Sequence, residues 1–404
     1  MNDQLLHRIR NNDPYLHTIE LSLKMVGSER LKELSEALKI NVFITYIDLG
    51  NNQIGYEIMK SLAETLKVNT SITMIYLYGN LIDDEGVKTL AEALKINTSI
   101  TMINLYNNQI GVDGMKYLAE ALKINTSITK INLSGNRIGN EGMKVLAEAL
   151  KINTSITEIN LSWNQIGDEG MKSLADTLKV NTSITKIDLY DNHQIGPEGM
   201  KALSAVLKIN TSITMINLSG NRIGDEGMKI LVEALKVNTF ITKIYLSWNH
   251  IGNEGMKYLA EALKVNTSIT EINLSCNQIG DEGVKILAEA LKVNTSLIEI
   301  NLYYNKIGPE GENTLIDMLQ YNYIIEYIGI LDNSGKIKEL LKPENRKQRI
   351  IEWMPWKNHH ICIKLEPRFH DIVLTLLYLF FISQIFLRRE KRKLRHLVLK
   401  KQKI

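Results

Sequence analysis

Apolar and polar positions along this chain follow two periods that take turns. In the stretch Asn97–Ile124, Ile100, Ile103 and Leu105 stand against Thr101, Met102, Asn104 and Tyr106. That near-alternation predicts a short strand with one buried face. Met115, Leu118, Ala119 and Leu122 then fall at i, i+3, i+4 and i+7, the spacing of an amphipathic helix. Asp113, with Asp168, Asp225 and Asp281 taken as its equivalents, supplies an acidic first turn, and Lys123 stands near the end of the helix, as the helix dipole favours. Asn125 follows where a left-handed C-cap is expected.

The same 28-residue unit recurs with its central leucine at Leu49, Leu77, Leu105, Leu133, Leu161, Leu189, Leu218, Leu246, Leu274 and Leu302. A fixed period of this size predicts a solenoid, because one strand and one helix bury their apolar faces only by stacking on the next copy. The fold class is α/β: a curved parallel sheet inside and a ring of helices outside. Three residues after each leucine comes an asparagine, at 52, 80, 108, 136, 164, 192, 221, 249, 277 and 305. An amide at an inward position must find partners, so Asn52, Asn80, Asn108, Asn136, Asn164, Asn192, Asn221, Asn249, Asn277 and Asn305 are expected to form a structural ladder.

The pattern IxxIxLxxNxIGxxGxxxLAxALKxN resembles the ribonuclease-inhibitor type of leucine-rich repeat, a class shared with nucleotide-oligomerisation immune receptors and Ran GTPase-activating protein. The resemblance implies a right-handed β-α superhelix shaped as a horseshoe. It also implies a protein-binding scaffold, and fold alone does not name the partner. It spans residues 15–333, with 1–14 as an N-terminal cap, 334–349 as a basic linker and 350–404 as a helical, basic C-terminal extension.

Several units depart from the pattern. The first degenerate unit has Lys24 in place of the ladder asparagine, and Ile58 replaces the second glycine of the next. The unit at Leu189 is one residue longer, with His193 beside Asn192. Pro197 and Pro309 stand where helices begin, which suits a first helical turn. A last degenerate unit keeps Ile328, Ile330 and Asn333 in register.

The net charge of +3 gives no field suited to nucleic acid. Cys276 and Cys362 are too few for a disulfide framework, and the N-terminus lacks a signal peptide's apolar core, so a cytoplasmic protein is expected. Asn-Thr-Ser at 69, 97, 125, 153, 181, 210, 266 and 294 is formally a glycosylation acceptor, but it falls on the period and reads as a cap. There is no GxxxxGK[ST], HExxH or GxSxG, and no enzyme, cofactor or metal is expected.

The expected function is non-enzymatic recognition of a protein partner on the concave sheet face. Its anchors are Tyr76, Tyr78, Tyr106, Trp163, Tyr190, Tyr245, Trp248, Tyr303 and Tyr304, since exposed Tyr and Trp bury much area with few rotors. Tyr76, Tyr78 and Tyr106 are expected to cluster, as are Tyr245 and Trp248. The row Met102, Lys130, Glu158, Lys186, Met215, Lys243, Glu271 and Glu299 mixes charges and suits a protein better than a polyanion.

The C-terminal extension leaves alternatives open. The run 372–387 reads as a helix capping the solenoid or, though short of a membrane span, as a membrane helix. Leu365–Leu377 weakly resembles the opening of an F-box, which would make the chain a ubiquitin-ligase substrate adaptor. His359, His360, Cys362 and His370 match no familiar zinc spacing. The basic tail suits a nuclear or anionic-lipid address. A GTPase activator is the remaining alternative, although the acidic C-terminal segment of Ran GTPase-activating protein has no counterpart here.

Overall fold

The computed structural model describes residues 3–346. The extension 350–404, with its 372–387 run, F-box-like stretch, histidine set and basic tail, lies outside the described residues, as does the end of the linker.

Twelve three-residue strands form one parallel sheet in chain order: β1 (Thr18–Glu20), β2 (Tyr46–Asp48), β3 (Met74–Tyr76), β4 (Met102–Asn104), β5 (Lys130–Asn132), β6 (Glu158–Asn160), β7 (Lys186–Asp188), β8 (Met215–Asn217), β9 (Lys243–Tyr245), β10 (Glu271–Asn273), β11 (Glu299–Asn301) and β12 (Tyr327–Gly329). A helix follows each strand. The register is that of the repeat: Met102 pairs Lys130, Ile103 pairs Ile131, Asn104 pairs Asn132. The central isoleucine of each strand and the leucine after it are buried among Met115, Leu118, Ala119, Leu122 and their counterparts. Each such side chain contributes about 1.5–3 kcal/mol of transfer free energy, and that gain exists only while the neighbouring coil is in place.

In most coils the third strand residue is an Asn or Asp whose side chain turns the chain. Asn104 Oδ1 accepts from the Tyr106 amide at 3.0 Å, and Asn132, Asn160, Asp188, Asn217, Asn273 and Asn301 do the same in their coils. The ladder of backbone bonds nonetheless continues past the turn: Leu105 N donates to Asn132 O and Asn107 N to Ser134 O.

Inside the turn, Asn136 Nδ2 donates to Leu105 O and Leu133 O, and its Oδ1 accepts from Ile110 N at 3.1 Å. One amide therefore ties two coils. From Asn52 to Asn305 every member donates to the carbonyl of the previous coil's leucine or that coil's counterpart. Lys24 has no such role; Leu21 O simply receives Asn52.

Asn125 is a correction to the sequence reading. Its φ of −69° and ψ of 124° are extended, not left-handed. Its side chain performs a different task, with Nδ2 on Leu94 O and Asn97 O and Oδ1 accepting from Ser127 N and Ile128 N. The carbonyls left open at one helix's end are thus closed by the next coil's asparagine, and no αL residue is needed. All eight Asn-Thr-Ser asparagines are buried in this second ladder.

Asp113 is a second correction. Asp168, Asp225 and Asp281 reach across to the next coil, where each Oδ1 accepts two backbone amides, as Asp168 does from Gly196 and Gly199 at 2.7 and 2.8 Å. Asp84 bonds Gly111 in the same way, and Asn140 and Asn253 each take two glycine amides. A Cβ on Gly199 would stand 2.6 Å from Asp168 Oδ1, so the second glycine of the repeat is required by this close approach. Val112 fills the Asp168 slot in its own coil and Pro197 in its coil, while Asp113 stands one position later, paired with Lys116. With no bridging group before them, Gly139 and Gly224 turn to φ +58° and start their helices differently.

The helix Asp3–Arg10 closes the first coil with Leu6 and Ile9, and Ile9 O accepts from Asn41 Nδ2. At the far end Ile337 is buried, and Ser334 N donates to Glu312. Among the described residues no helix is long and apolar enough to cross a membrane, and no group of His, Cys, Asp and Glu could hold a metal ion.

Candidate protein-recognition face

The sheet buries its central isoleucines toward the helices and leaves the flanking residues of each strand partly exposed on its other face. The mixed-charge row runs across this open face as the registers require. Its charges are largely spent on each other. Glu158 lies 3.3 Å from Lys130 and 2.9 Å from Lys186. Burial opposes its ionisation, yet hydrogen bonds and charge from Lys186 and Lys130 outweigh that and hold its carboxyl below the usual range. Lys243 pairs with Glu271, which also accepts from Tyr245 Oη at 2.8 Å. Burial and then this bond push the Tyr245 hydroxyl well above the usual phenol range.

The aromatic residues group differently from the sequence expectation. Among the ring contacts of the described residues none joins Tyr76 to Tyr78 or Tyr106, nor Tyr245 to Trp248. Tyr76 packs on Tyr46 at 5.2 Å. Tyr78 leans back over Gly50, where a Cβ would meet its ring, and its hydroxyl reaches Ser22 and Asp48. Tyr106 leans forward toward Gly135. Instead Trp163 meets Tyr190 at 5.9 Å and His193 at 6.3 Å, and Tyr303 meets Tyr304 at 6.3 Å. The direction in which each side chain leans along the sheet axis decides these contacts.

What the periodicity alone did not show is the backbone at the second position after each leucine. In the coils of β1 to β11 it is left-handed: Leu23, Asn51, Gly79, Asn107, Gly135, Trp163, Asp191, Gly220, Trp248, Cys276 and Tyr304 all have φ between +52° and +68°. Glycine and asparagine are at ease there, whereas a bulky side chain costs roughly 1–2 kcal/mol. Trp163, Trp248 and Tyr304 nevertheless occupy it and are 51, 62 and 74 % exposed. Gly79, Gly135 and Gly220, the same position in sister units, were the signal in the sequence that this position is left-handed.

The extra residue of the long unit lies in the same turn. His193 Nε2 stands 2.7 Å from Asp191, whose carboxyl is buried. Burial raises the Asp191 pKa, and the nearby imidazole opposes this. The insertion breaks one rung of the asparagine ladder. Asn192 Oδ1 accepts from Asn164 N and Ile166 N, and Asn249 Oδ1 from Ile223 N, but Asn221 Oδ1, between them, is buried without a partner among the described residues.

Two family models match the chain. The TMOD/LMOD leucine-rich domain matches residues 2–111 and 226–339, more than half of the chain. A leucine-rich repeat model matches 125–147, 153–175, 180–204 and 210–232 between them. No curated protein matches the sequence. Among solved structures, the actin-binding site 2 segment of leiomodin-1 is 25% identical, with a TM-score of 0.34 over 37% of this chain and 91% of its own. A Caenorhabditis elegans tropomodulin C-terminal domain is 21% identical, with a TM-score of 0.34 over 37% of this chain and 92% of its own. The leucine-rich repeat domain of APL1B is 12% identical, with a TM-score of 0.42 over 83% of this chain and 78% of its own. The matched families are protein-interaction domains, and the chain belongs to the TMOD/LMOD leucine-rich domain family of leucine-rich-repeat proteins.

Proposed function

We propose that the chain recognises a protein partner on the open sheet face and on the turn that follows each strand. The observation that carries this is the exposed Trp163, Trp248 and Tyr304 at left-handed positions that other coils fill with glycine. A large apolar side chain held in a costly backbone conformation and left in water gives the fold little, so its use lies in contact with something else. The scaffold supporting these residues is rigid, since two asparagine ladders run from coil to coil and an Asp or Asn bridge adds a third tie between most of them, and little ordering is needed on binding.

Membership of the TMOD/LMOD family directs the first assay to actin, for which the leiomodin-1 segment is named. A photoreactive benzophenone side chain is placed at position 248 in the full chain or, as a control, at Lys257 on the outer helix. Crosslinks to actin are expected from position 248 and not from 257. Crosslinking from 257 alone, or from neither, removes recognition of actin by this face.

A further inference from the structure

The turns carry a second, longer period. Ser134-Gly135-Asn136-Arg137-Ile138-Gly139 recurs as Ser219-Gly220-Asn221-Arg222-Ile223-Gly224, and Ser162-Trp163-Asn164-Gln165 as Ser247-Trp248-Asn249-His250. The backbone repeats with them, since Gly135, Gly139, Gly220 and Gly224 all have positive φ. The two tryptophans therefore stand three coils apart, on the coils of β6 and β9. Because Trp163 N and Trp248 N still donate to the next coil's backbone, the spacing at this rim is that of a sheet, about 4.8 Å per coil and about 14 Å between the two indoles' coils.

The cations follow the same period. Arg137, Arg222 and Lys306 occupy the fourth position after the leucine in the coils of β5, β8 and β11. All three are exposed, and none pairs with a carboxylate among the described residues. The remaining residues of that column from β4 onward are Gln109, Gln165, His193 or Gln194, His250 and Gln278, so it contains no acid. In the column of Trp163 and Trp248 the acids are Asp191, buried and held by His193, and Asp332 of the last coil, which lies beyond Lys306 and accepts from Lys338 N. The rim is thus aromatic and basic, with unpaired positive charge on both sides of each indole. This differs from the open sheet face, where lysine and glutamate neutralise one another.

We infer that this rim binds an acidic segment of a partner protein in extended conformation, lying across the strands, with two apolar side chains four residues apart and carboxylates between and beside them. The inference rests on the recognition face proposed above and names what that face takes. The spacing selects the conformation. An extended chain advances about 3.3–3.4 Å per residue, so residues i and i+4 lie on one side and about 13–14 Å apart. A helix advancing 1.5 Å per residue covers the same distance in about nine residues, and nine steps of 100° place the second side chain on the opposite face. Carboxylates between the anchors would meet Arg222, which lies in the coil just before Trp248, and those beside the first anchor would meet Arg137, just before Trp163. Charge-assisted bonds to arginine give such contacts direction as well as attraction.

The test uses the full chain and two nine-residue probes of equal composition, acetyl-GELEEELEG-amide with leucines four apart and acetyl-GELEELEEG-amide with leucines three apart, followed by fluorescence titration with labelled peptide. The basic C-terminal residues are common to every arm and cancel. Affinity at least fivefold higher for the four-apart probe is expected, weakening with salt. It should fall at least fivefold in Arg222→Gln and in the double variant Trp163→Gly/Trp248→Gly. Equal affinity for the two probes, or indifference to both variants, overturns the inference while the crosslink from position 248 can still succeed. Absence of that crosslink with a normal preference between probes would instead remove actin recognition and leave the rim's peptide selectivity standing.

Discussion

Deleting His193 would turn Asp191-Asn192-His193-Gln194-Ile195-Gly196 into Asp-Asn-Gln-Ile-Gly, the length found in the other full units. Ile195 would then stand where Ile166 and Ile223 stand in their coils, and both of those amides reach the next coil's asparagine Oδ1, at 3.0 and 3.3 Å. Asn221 Oδ1, which the insertion leaves buried and unpartnered, would regain its donor. A buried acceptor without a bond costs about 1–3 kcal/mol. The exposed His193 ring gives up its contact with the buried Asp191 carboxyl and with Trp163, and losing a bond to a buried acceptor offsets roughly 1 kcal/mol of this. A net gain of up to about 2 kcal/mol is therefore expected. Urea unfolding of the chain with and without His193 measures it, with amide hydrogen exchange at Ile195 and Asn221 to localise the change. The decisive control is Asn221→Ala, in which no acceptor remains and the deletion should give no gain. Equal stabilisation in both backgrounds, or destabilisation in the parent chain, would refute the broken-rung explanation.

Trp248→Gly removes a left-handed tryptophan, worth about 1–2 kcal/mol, against glycine's larger unfolded entropy of about 0.5–1 kcal/mol; thermal unfolding should show a stability unchanged or up to about 1 kcal/mol higher, and a loss above 1 kcal/mol would contradict the strain argument. Asn153→Ala strips Leu122 O, Asn125 O, Ser155 N and Ile156 N of their partner and should cost roughly 3 kcal/mol by urea unfolding, whereas Asn107→Ala in the exposed turn should cost less than half as much. Expression through a secretory pathway followed by mass spectrometry should find the Asn-Thr-Ser sites of the folded chain unmodified, since their Nδ2 atoms are buried donors; full occupancy at Asn153 would contradict the ladder. Glu158 has a carboxyl pKa depressed below 4.5 in the fold, so its share of stability is present above the unfolded value and is lost as pH falls through the folded one. Glu158→Gln should flatten the stability profile below pH 4.5, and an unchanged acid limb would show that Lys130 and Lys186 do not act through it.

The strand-and-helix unit and its stacking were legible in the sequence because both rest on periodic apolar residues whose burial dominates the energy. Asn136 was legible for the same reason: a polar residue fixed in an apolar row has few ways to be satisfied. Asn125 was misread because a C-cap position offers two solutions, a left-handed backbone or a side chain from the next coil, and local sequence does not distinguish them. Asp113 was misaligned with Asp168 by one residue, a shift that decides whether the carboxylate faces the next coil's amides or solvent. The grouping of aromatic residues was the least accessible, since contacts such as Trp163 with Tyr190 depend on how far each side chain leans along the sheet axis. The left-handed turn was within reach through Gly79, Gly135 and Gly220, but only once Trp163 and Trp248 are read as occupants of a glycine position.

The measurement that tests partner recognition most directly is the affinity of actin for the full chain and for its Trp163→Gly/Trp248→Gly variant, with unfolding of both followed in parallel. The account expects the variant to bind at least tenfold more weakly while its fold is no less stable. Equal affinity, or no binding by the parent chain, would contradict it.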